Sequence, residues 1–77
     1  MNITYTKQAV KALMRLNTPL RKRIRHGIHK LPDGDVKRLK GYIDLYRLRI
    51  GRMRIIFTMK VNNIMIEDVL PRGSAYK

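Results

Sequence analysis

Apolar residues in the first part of the chain recur every three or four positions, which is the period of an amphipathic helix. One series predicts a helix from about Lys7 to Leu16, and a second predicts another from about Pro19 to Leu31. Thr18 and Pro19 supply an N-cap and a first-turn proline for the second helix. The short link at Asn17 predicts that the two helices are antiparallel neighbours.

Beyond residue 45 the period changes to two, which is typical of strands because successive strand side chains face opposite sides. Three segments alternate in this way: Tyr46 to Ile50, Met53 to Lys60 and Ile64 to Leu70. Turns at Gly51-Arg52 and Asn62-Asn63 would join them into an antiparallel meander.

The first residues, Asn2 to Tyr5, predict a short edge strand, and Val36 to Gly41 predicts a basic connector between helices and strands. Helices followed by strands, with no internal repeat, indicate a single α+β domain over residues 1–77. We expect a short N-terminal strand and an antiparallel helical pair packed on one face of a mainly antiparallel sheet.

Charge narrows the choice of partner. The chain has 18 lysines and arginines against 5 acidic residues, a formal net charge of +13, and no acidic residue before Asp33. Such a field attracts polyanions, so nucleic acid is the first candidate partner and an acidic protein the second. The absence of cysteine excludes disulfides and thiolate zinc sites. No signal peptide and no apolar run of the ~18 residues that span a bilayer are present, which predicts a cytoplasmic protein without a membrane partner.

Five residues form a candidate phosphate-handling site. Arg47 and Arg49 share one face of their strand, Arg54 comes from the next strand, and Arg72 and Tyr76 come from the tail beyond the last strand. Guanidinium groups bind phosphate oxygens bidentately and stabilise negative charge that develops in a transition state. The alternative interpretation is that alternating arginines only solvate an exposed sheet face.

The order and spacing of several segments, from about Ala9 to Lys77, resemble the RelE/ParE toxin superfamily. The segments are Leu31-Pro32-Asp33-Gly34-Asp35-Val36, Leu39-Lys40-Gly41, Tyr46-Arg47-Leu48-Arg49-Ile50-Gly51, Arg54-Ile55-Ile56-Phe57 and Pro71-Arg72-Gly73-Ser74-Ala75-Tyr76-Lys77. The resemblance implies a RelE-like fold and a toxin of a type II toxin-antitoxin system. RelE-type members cut messenger RNA in the ribosomal A site, without a metal, by activating a ribose 2′-hydroxyl.

The resemblance also implies roles for the five site residues. Arg54 and Arg72 would clamp the scissile phosphate, and Arg47 and Arg49 would hold neighbouring phosphates. Some relatives have lysine at the two latter positions, so the general base is open here. Tyr76 is the favoured candidate base and can alternatively stack on a nucleobase. Glu67 or Asp68 is the fallback base, although ion pairing with the arginines is the preferred interpretation of these carboxylates.

Further basic residues are predicted to contact RNA: Arg21, Lys22, Arg25, Lys37, Lys40 and Arg52. The implied partners are a cognate acidic antitoxin, the ribosome and messenger RNA, with operator DNA reached only through the antitoxin. His26 and His29 lack a third ligand, so we expect no metal, and no other cofactor. Two alternative functions stay open: a ParE-type poison of DNA gyrase, and an RNA-binding relative without catalysis.

Overall fold

The computed structural model describes residues 2–73 of the chain. Two helices and five strands follow one another as β1 (Asn2–Tyr5), α1 (Lys7–Met14), α2 (Thr18–His29), β2 (Val36–Arg38), β3 (Leu45–Ile50), β4 (Met53–Lys60) and β5 (Asn63–Pro71). The strands form one sheet in the order β1-β5-β4-β3-β2. β1 is parallel to β5 and the other neighbouring pairs are antiparallel, which confirms the predicted α+β class.

Side-chain caps set where both helices begin. The Thr6 hydroxyl accepts a hydrogen bond from the Ala9 amide at 3.0 Å, and the Asn17 side-chain oxygen accepts one from the Leu20 amide at 2.9 Å. The predicted N-cap at Thr18 is therefore wrong: Asn17 caps the helix and Thr18 is its first residue. An asparagine and a threonine are both good caps, so the sequence did not distinguish the two.

Both helices end two residues before the predicted limits, at Met14 and His29. At the end of α2, the Leu31 amide donates to the Ile28 carbonyl at 3.1 Å, so the last turn tightens before the chain leaves the helix. Leu31 precedes Pro32, and a residue before proline is disfavoured in helical geometry. Leu31 nevertheless stays in the core, 8% exposed.

β2 is the main correction to the predicted topology. Val36 lies opposite Leu48 of β3, and Lys37 lies opposite Arg47, so the expected basic connector is an edge strand. Three residues are too short for a period-two pattern to be visible in the sequence. The β4–β5 turn is also displaced by one residue, because Lys60 pairs with Asn63 and leaves Val61 and Asn62 as the turn.

The core lies between the helices and one face of the sheet. Ile24 and Ile28 of α2 and Ala9 and Leu13 of α1 pack with the odd positions of β4 and the even positions of β3. α2 approaches β3 closely at Gly27, where a Cβ atom would overlap Cδ1 of Ile50. The helices therefore cover one face of the sheet. The side chains at the odd positions of β3 and the even positions of β4 lie on the other face.

A β-bulge in β5 changes which residues of that strand reach the core. Ile56 pairs with Asp68 while Phe57 pairs with Ile66, so Glu67 is the extra residue. One inserted residue reverses the alternation of side chains. Val69 consequently joins Ile64 and Ile66 in the core.

Between residues 2 and 73 the structure contains no helix with the length and apolar character needed to cross a bilayer.

Candidate nucleic-acid interface

A cationic cleft lies on the sheet face opposite the helices. Its volume is about 290 Å³, and six of its seven lining residues are basic: Lys37, Arg38, Leu39, Lys40, Arg47, Arg49 and Arg54. The structure thus brings together three of the five predicted site residues and two of the predicted RNA-contacting lysines. Since no acidic side chain lines the cleft, an anion is the ligand that its charge favours.

Strand pairing places the basic side chains side by side. Arg49 lies directly opposite Arg54 across the β3–β4 pair, and Lys37 lies opposite Arg47 across the β2–β3 pair. Side chains in such positions are about 5 Å apart at Cβ, and like charges at that distance repel each other. A phosphate bound between them would accept hydrogen bonds from both side chains, because guanidinium groups bind phosphate oxygens in a fork geometry.

The hairpin turn between β3 and β4 fixes this register. Ile50 pairs with Met53, so the loop contains only Gly51 and Arg52. Gly51 has a φ of 56°, the conformation that a glycine at the first loop position supplies in a two-residue hairpin. The turn therefore holds the Arg49 and Arg54 pair in place.

Arg47 is anchored to the protein. Its Nη1 donates to the Asp35 carbonyl oxygen at 3.0 Å and to Oδ1 of Asp35 at 3.2 Å, and the side chain is only 12% exposed. The Arg49 amide also donates to the Asp35 carbonyl, at 3.0 Å. Asp35 thus ties the start of β2 to β3 and fixes the orientation of the Arg47 guanidinium.

The sheet face that carries the cleft also contains two buried apolar side chains that the sequence did not predict. Ile56 is 0% and Leu45 6% exposed, although both side chains alternate away from the helices. Ile56 lies directly opposite Arg47. The run Ile55-Ile56-Phe57 interrupts the alternation of apolar and polar residues, and this interruption indicates that Ile56 is buried although it faces away from the helices. Apolar surroundings lower the local dielectric and strengthen electrostatic contacts above them.

The carboxylates proposed as fallback bases have neutral partners. Oε2 of Glu67 accepts a hydrogen bond from the Thr58 hydroxyl at 3.3 Å. Asp68 is 6% exposed and accepts hydrogen bonds from Gln8 on α1 at 2.5 Å and from the Val69 amide at 2.8 Å. Within residues 2–73 the ion pair described joins Arg47 to Asp35, and the preferred interpretation of Glu67 and Asp68 as ion-pair partners of the arginines stays a prediction.

Arg72 lies at the hairpin end of the sheet, outside the lining of the cationic cleft. Its amide donates to the Arg52 carbonyl, and the two side chains line a separate cleft of about 480 Å³ with Pro71. Tyr76 lies outside the described residues. The predicted roles of Arg72 and Tyr76 at a shared site therefore stay predictions.

A second surface, the helical groove, runs between α1 and α2. It has a volume of about 260 Å³ and is lined by Tyr5, Val10, Leu13, Met14, Arg21, Arg25 and His29. Val10 is 46% and Met14 68% exposed, so part of the apolar series that predicted α1 faces solvent. Met14 at the end of α1 contacts Arg21 near the start of α2, as expected for antiparallel helices. Two of the predicted RNA contacts, Arg21 and Arg25, therefore lie across the molecule from the cleft.

Burial raises the pKa of the Tyr5 hydroxyl above its usual value of 10.0, and the positive charge of Arg25 partly offsets this by lowering the pKa. Both residues lie in the helical groove. The groove thus combines an apolar wall with a positively charged one.

Residues 2–73 contain no cluster of three or more His, Cys, Asp or Glu side chains that could hold a metal ion. Lys22, another predicted RNA contact, is exposed on α2.

No protein-family profile matches the chain. It is 32% identical over 84 residues to the toxin RelE3 of Methanocaldococcus jannaschii, covering 99% of this chain and 96% of the relative. The structure is similar to one in the RelB-RelE antitoxin-toxin complex of Methanococcus jannaschii, with a TM-score of 0.77, 29% identity and 88% of each chain covered. It is also similar to one in the archaeal RelE-RelB complex of Pyrococcus horikoshii OT3, with a TM-score of 0.75, 33% identity, and 96% of this chain and 97% of that chain covered.

Proposed function

The chain belongs to the RelE family of toxins, and from this premise we propose that it is an endoribonuclease that cuts messenger RNA in the ribosomal A site. The observation that carries the proposal is the cationic cleft, where Arg49 and Arg54 face each other beside Lys37 and Lys40. The toxin would inhibit translation by cutting the message that the ribosome is reading.

The proposed reaction is an internal transfer on one phosphodiester. The ribose 2′-oxygen attacks the adjacent phosphorus while the bond to the 5′-oxygen breaks. The 2′-hydroxyl proton passes to a base and the departing 5′-oxygen gains a proton. The products are a 2′,3′-cyclic phosphate and a free 5′-hydroxyl, so no external co-reactant is consumed.

The protein's contribution is to position the phosphate and stabilise its extra negative charge. Arg54 and Arg49 would take the scissile phosphate between two strands, instead of the clamp of Arg54 and Arg72 that the resemblance implied, because Arg72 does not line the cleft. Arg47 is held by Asp35 and presents its remaining donors to a neighbouring phosphate. Arg72, with Arg52, would extend this binding to the hairpin end of the sheet.

The proton transfer is assigned to Tyr76, with Glu67 as the alternative. Glu67 accepts a hydrogen bond from the Thr58 hydroxyl, and the Thr58 side chain shares the cleft face of β4 with those of Arg54 and Ile56. Asp68 is the weaker alternative because it is buried against Gln8 on α1. A metal is not part of this proposal.

We further propose that a cognate acidic antitoxin binds the helical groove. Arg21, Arg25 and His29 follow one another at intervals of four along α2, so they form a single stripe beside exposed Val10 and Met14. An amphipathic helix with one apolar and one acidic stripe matches both walls of the groove. Operator DNA would be reached only through that antitoxin.

The groove and the cleft lie on opposite sides of the sheet. A helix seated in the groove would therefore not fill the cleft, and inhibition requires a further acidic segment that continues around the sheet. Arg21, Lys22 and Arg25 would meet ribosomal RNA in the absence of the antitoxin, rather than the messenger that is cut.

The test is primer extension on a defined messenger in purified initiated ribosomes, with and without the protein, combined with analysis of the new RNA ends. We expect discrete A-site cuts that leave a 2′,3′-cyclic phosphate and a 5′-hydroxyl. The absence of cuts by folded protein would refute the proposal, and cleavage complexes of DNA gyrase in a parallel reaction would support the ParE-type alternative.

A further inference from the structure

We propose that Tyr42 and the loop around it form a nucleobase subsite beside the cationic cleft. The inference rests on the proposed ribonuclease function and extends it to the base that accompanies the bound phosphate. The ligand class is a single-stranded ribonucleotide whose base stacks on the Tyr42 ring while its phosphate lies among the arginines.

The subsite adjoins the cleft directly. A cavity of about 280 Å³ is lined by Arg38, Leu39, Lys40, Gly41 and Tyr42. Three of these residues, Arg38, Leu39 and Lys40, also line the cationic cleft. The two cavities therefore share a basic wall, so a phosphate bound on one side places the attached nucleoside next to the other.

Among the aromatic residues between positions 2 and 73, Tyr42 has the position that suits stacking beside the cleft. Phe57 is fully buried and stacks with Tyr46, with ring centroids 5.6 Å apart, and Tyr5 lies in the helical groove on the far side of the sheet. Tyr42 is 43% exposed in the loop between β2 and β3. Proteins that bind single-stranded RNA combine a basic groove with an exposed aromatic ring on which a base stacks.

Backbone hydrogen bonds hold both ends of the loop. The Leu39 amide donates to the Leu45 carbonyl at 2.9 Å, and the Met59 amide donates to the Asp44 carbonyl at 3.1 Å. Gly41 has a φ of 82° and Asp44 one of 59°, so two left-handed residues on either side of Tyr42 define the path of the loop. The Tyr42 ring is thus carried by a loop whose two ends are held by hydrogen bonds.

The test uses an RNA trinucleotide with 2-aminopurine at one position and 2′-O-methyl riboses that prevent cleavage. Stacking on an aromatic ring quenches 2-aminopurine, and titration of each protein also gives the affinity. The variants are Tyr42→Ala and Tyr42→Phe, with Ile43→Ala as the matched control, because Ile43 is the next residue, is 84% exposed and does not line the cavity.

We expect wild type, Tyr42→Phe and Ile43→Ala to quench and bind equally, and Tyr42→Ala to lose the quenching and bind about tenfold more weakly. Quenching and affinity of Tyr42→Ala equal to wild type would overturn the inference while leaving RNA binding by the arginines in place. A wild-type protein that does not bind the trinucleotide at low salt would overturn both the inference and the proposed RNA-binding function.

Discussion

Replacing Asp35 by Asn tests whether the Asp35–Arg47 pair fixes the cleft. The substitution keeps an acceptor oxygen near Nη1 of Arg47 and removes only the negative charge. The Arg47 side chain is 12% exposed and that of Asp35 is 57% exposed, with 3.2 Å between Nη1 and Oδ1. A mostly buried guanidinium therefore depends on a mostly exposed carboxylate.

The magnitude follows from this asymmetry. Two unit charges at this distance attract by about 5 kcal/mol at an effective dielectric constant near 20. Solvent around Asp35 screens the pair, so a net coupling of about 0.5–1 kcal/mol is the appropriate expectation. The Asp35 carbonyl still accepts from Nη1 after the substitution, which keeps the loss at this modest size.

The assay is a double-mutant cycle measured by urea denaturation. Asp35→Asn should lower the free energy of unfolding by about 0.5–1 kcal/mol in wild type and have almost no effect in an Arg47→Met background. The coupling should shrink in 1 M salt. An equal effect of Asp35→Asn in both backgrounds would refute the anchoring role of Asp35.

Three further predictions concern the β3–β4 turn at Gly51, the buried hydroxyl of Tyr5 and the helical groove at Met14. Gly51→Ala should lower the free energy of unfolding by about 1 kcal/mol in urea, because alanine is strained at a positive φ; unchanged stability would show that the turn does not need glycine. Since the folded-state pKa of Tyr5 is raised, its stability contribution is complete below pH 10 and is lost as the pH rises above that value. Tyr5→Phe should therefore flatten the fall of thermal stability above pH 10, and an unaltered pH profile would contradict the burial of the hydroxyl. Met14→Lys should weaken the binding of an acidic amphipathic peptide about tenfold, measured by fluorescence anisotropy, because it removes apolar contact area from the groove. Val61→Lys, which adds the same charge in place of an apolar residue at an 88% exposed site outside the groove, should not weaken it; equal effects of the two substitutions would refute groove docking.

Periodicity predicted most of the fold because long amphipathic segments carry a repeated signal. The alternation in β4 located its helix-facing and cleft-facing residues, and Arg54 lies where that alternation placed it. β2 was missed because it has only three residues, and its pairing with β3 depends on contacts distant in sequence.

The remaining differences have local causes. The bulge at Glu67 is set by pairing between β4 and β5, which no single-strand pattern records. Val10 is one of the periodic apolar residues of α1, but it lies outside the part of the helix surface that the sheet covers. Its side chain is therefore exposed in the helical groove. Asp35 and Arg47 are twelve positions apart in the sequence, and the pattern of charges alone did not predict that they form an ion pair.

The cleft itself was predicted in part. The alternation of Arg47 and Arg49 and the position of Arg54 on the next strand indicated one basic surface, and strand register confirms that these three arginines lie together. Lys37 also lines the cleft, because it lies on strand β2, which the sequence did not predict. Arg72 lies in a different cleft because β5 runs on to Pro71 before the chain turns beside Arg52.

The most direct test of the proposed function is the single-turnover rate of messenger cleavage in programmed ribosomes by Arg54→Ala, compared with Lys60→Ala. Lys60 is an exposed cation on the same strand, six residues and about 20 Å further along, and it does not line the cleft. Loss of a donor that stabilises the transition state should slow Arg54→Ala about a hundredfold or more, with Lys60→Ala within about twofold of wild type. Equal rates for the two folded variants would contradict a catalytic role for the cationic cleft.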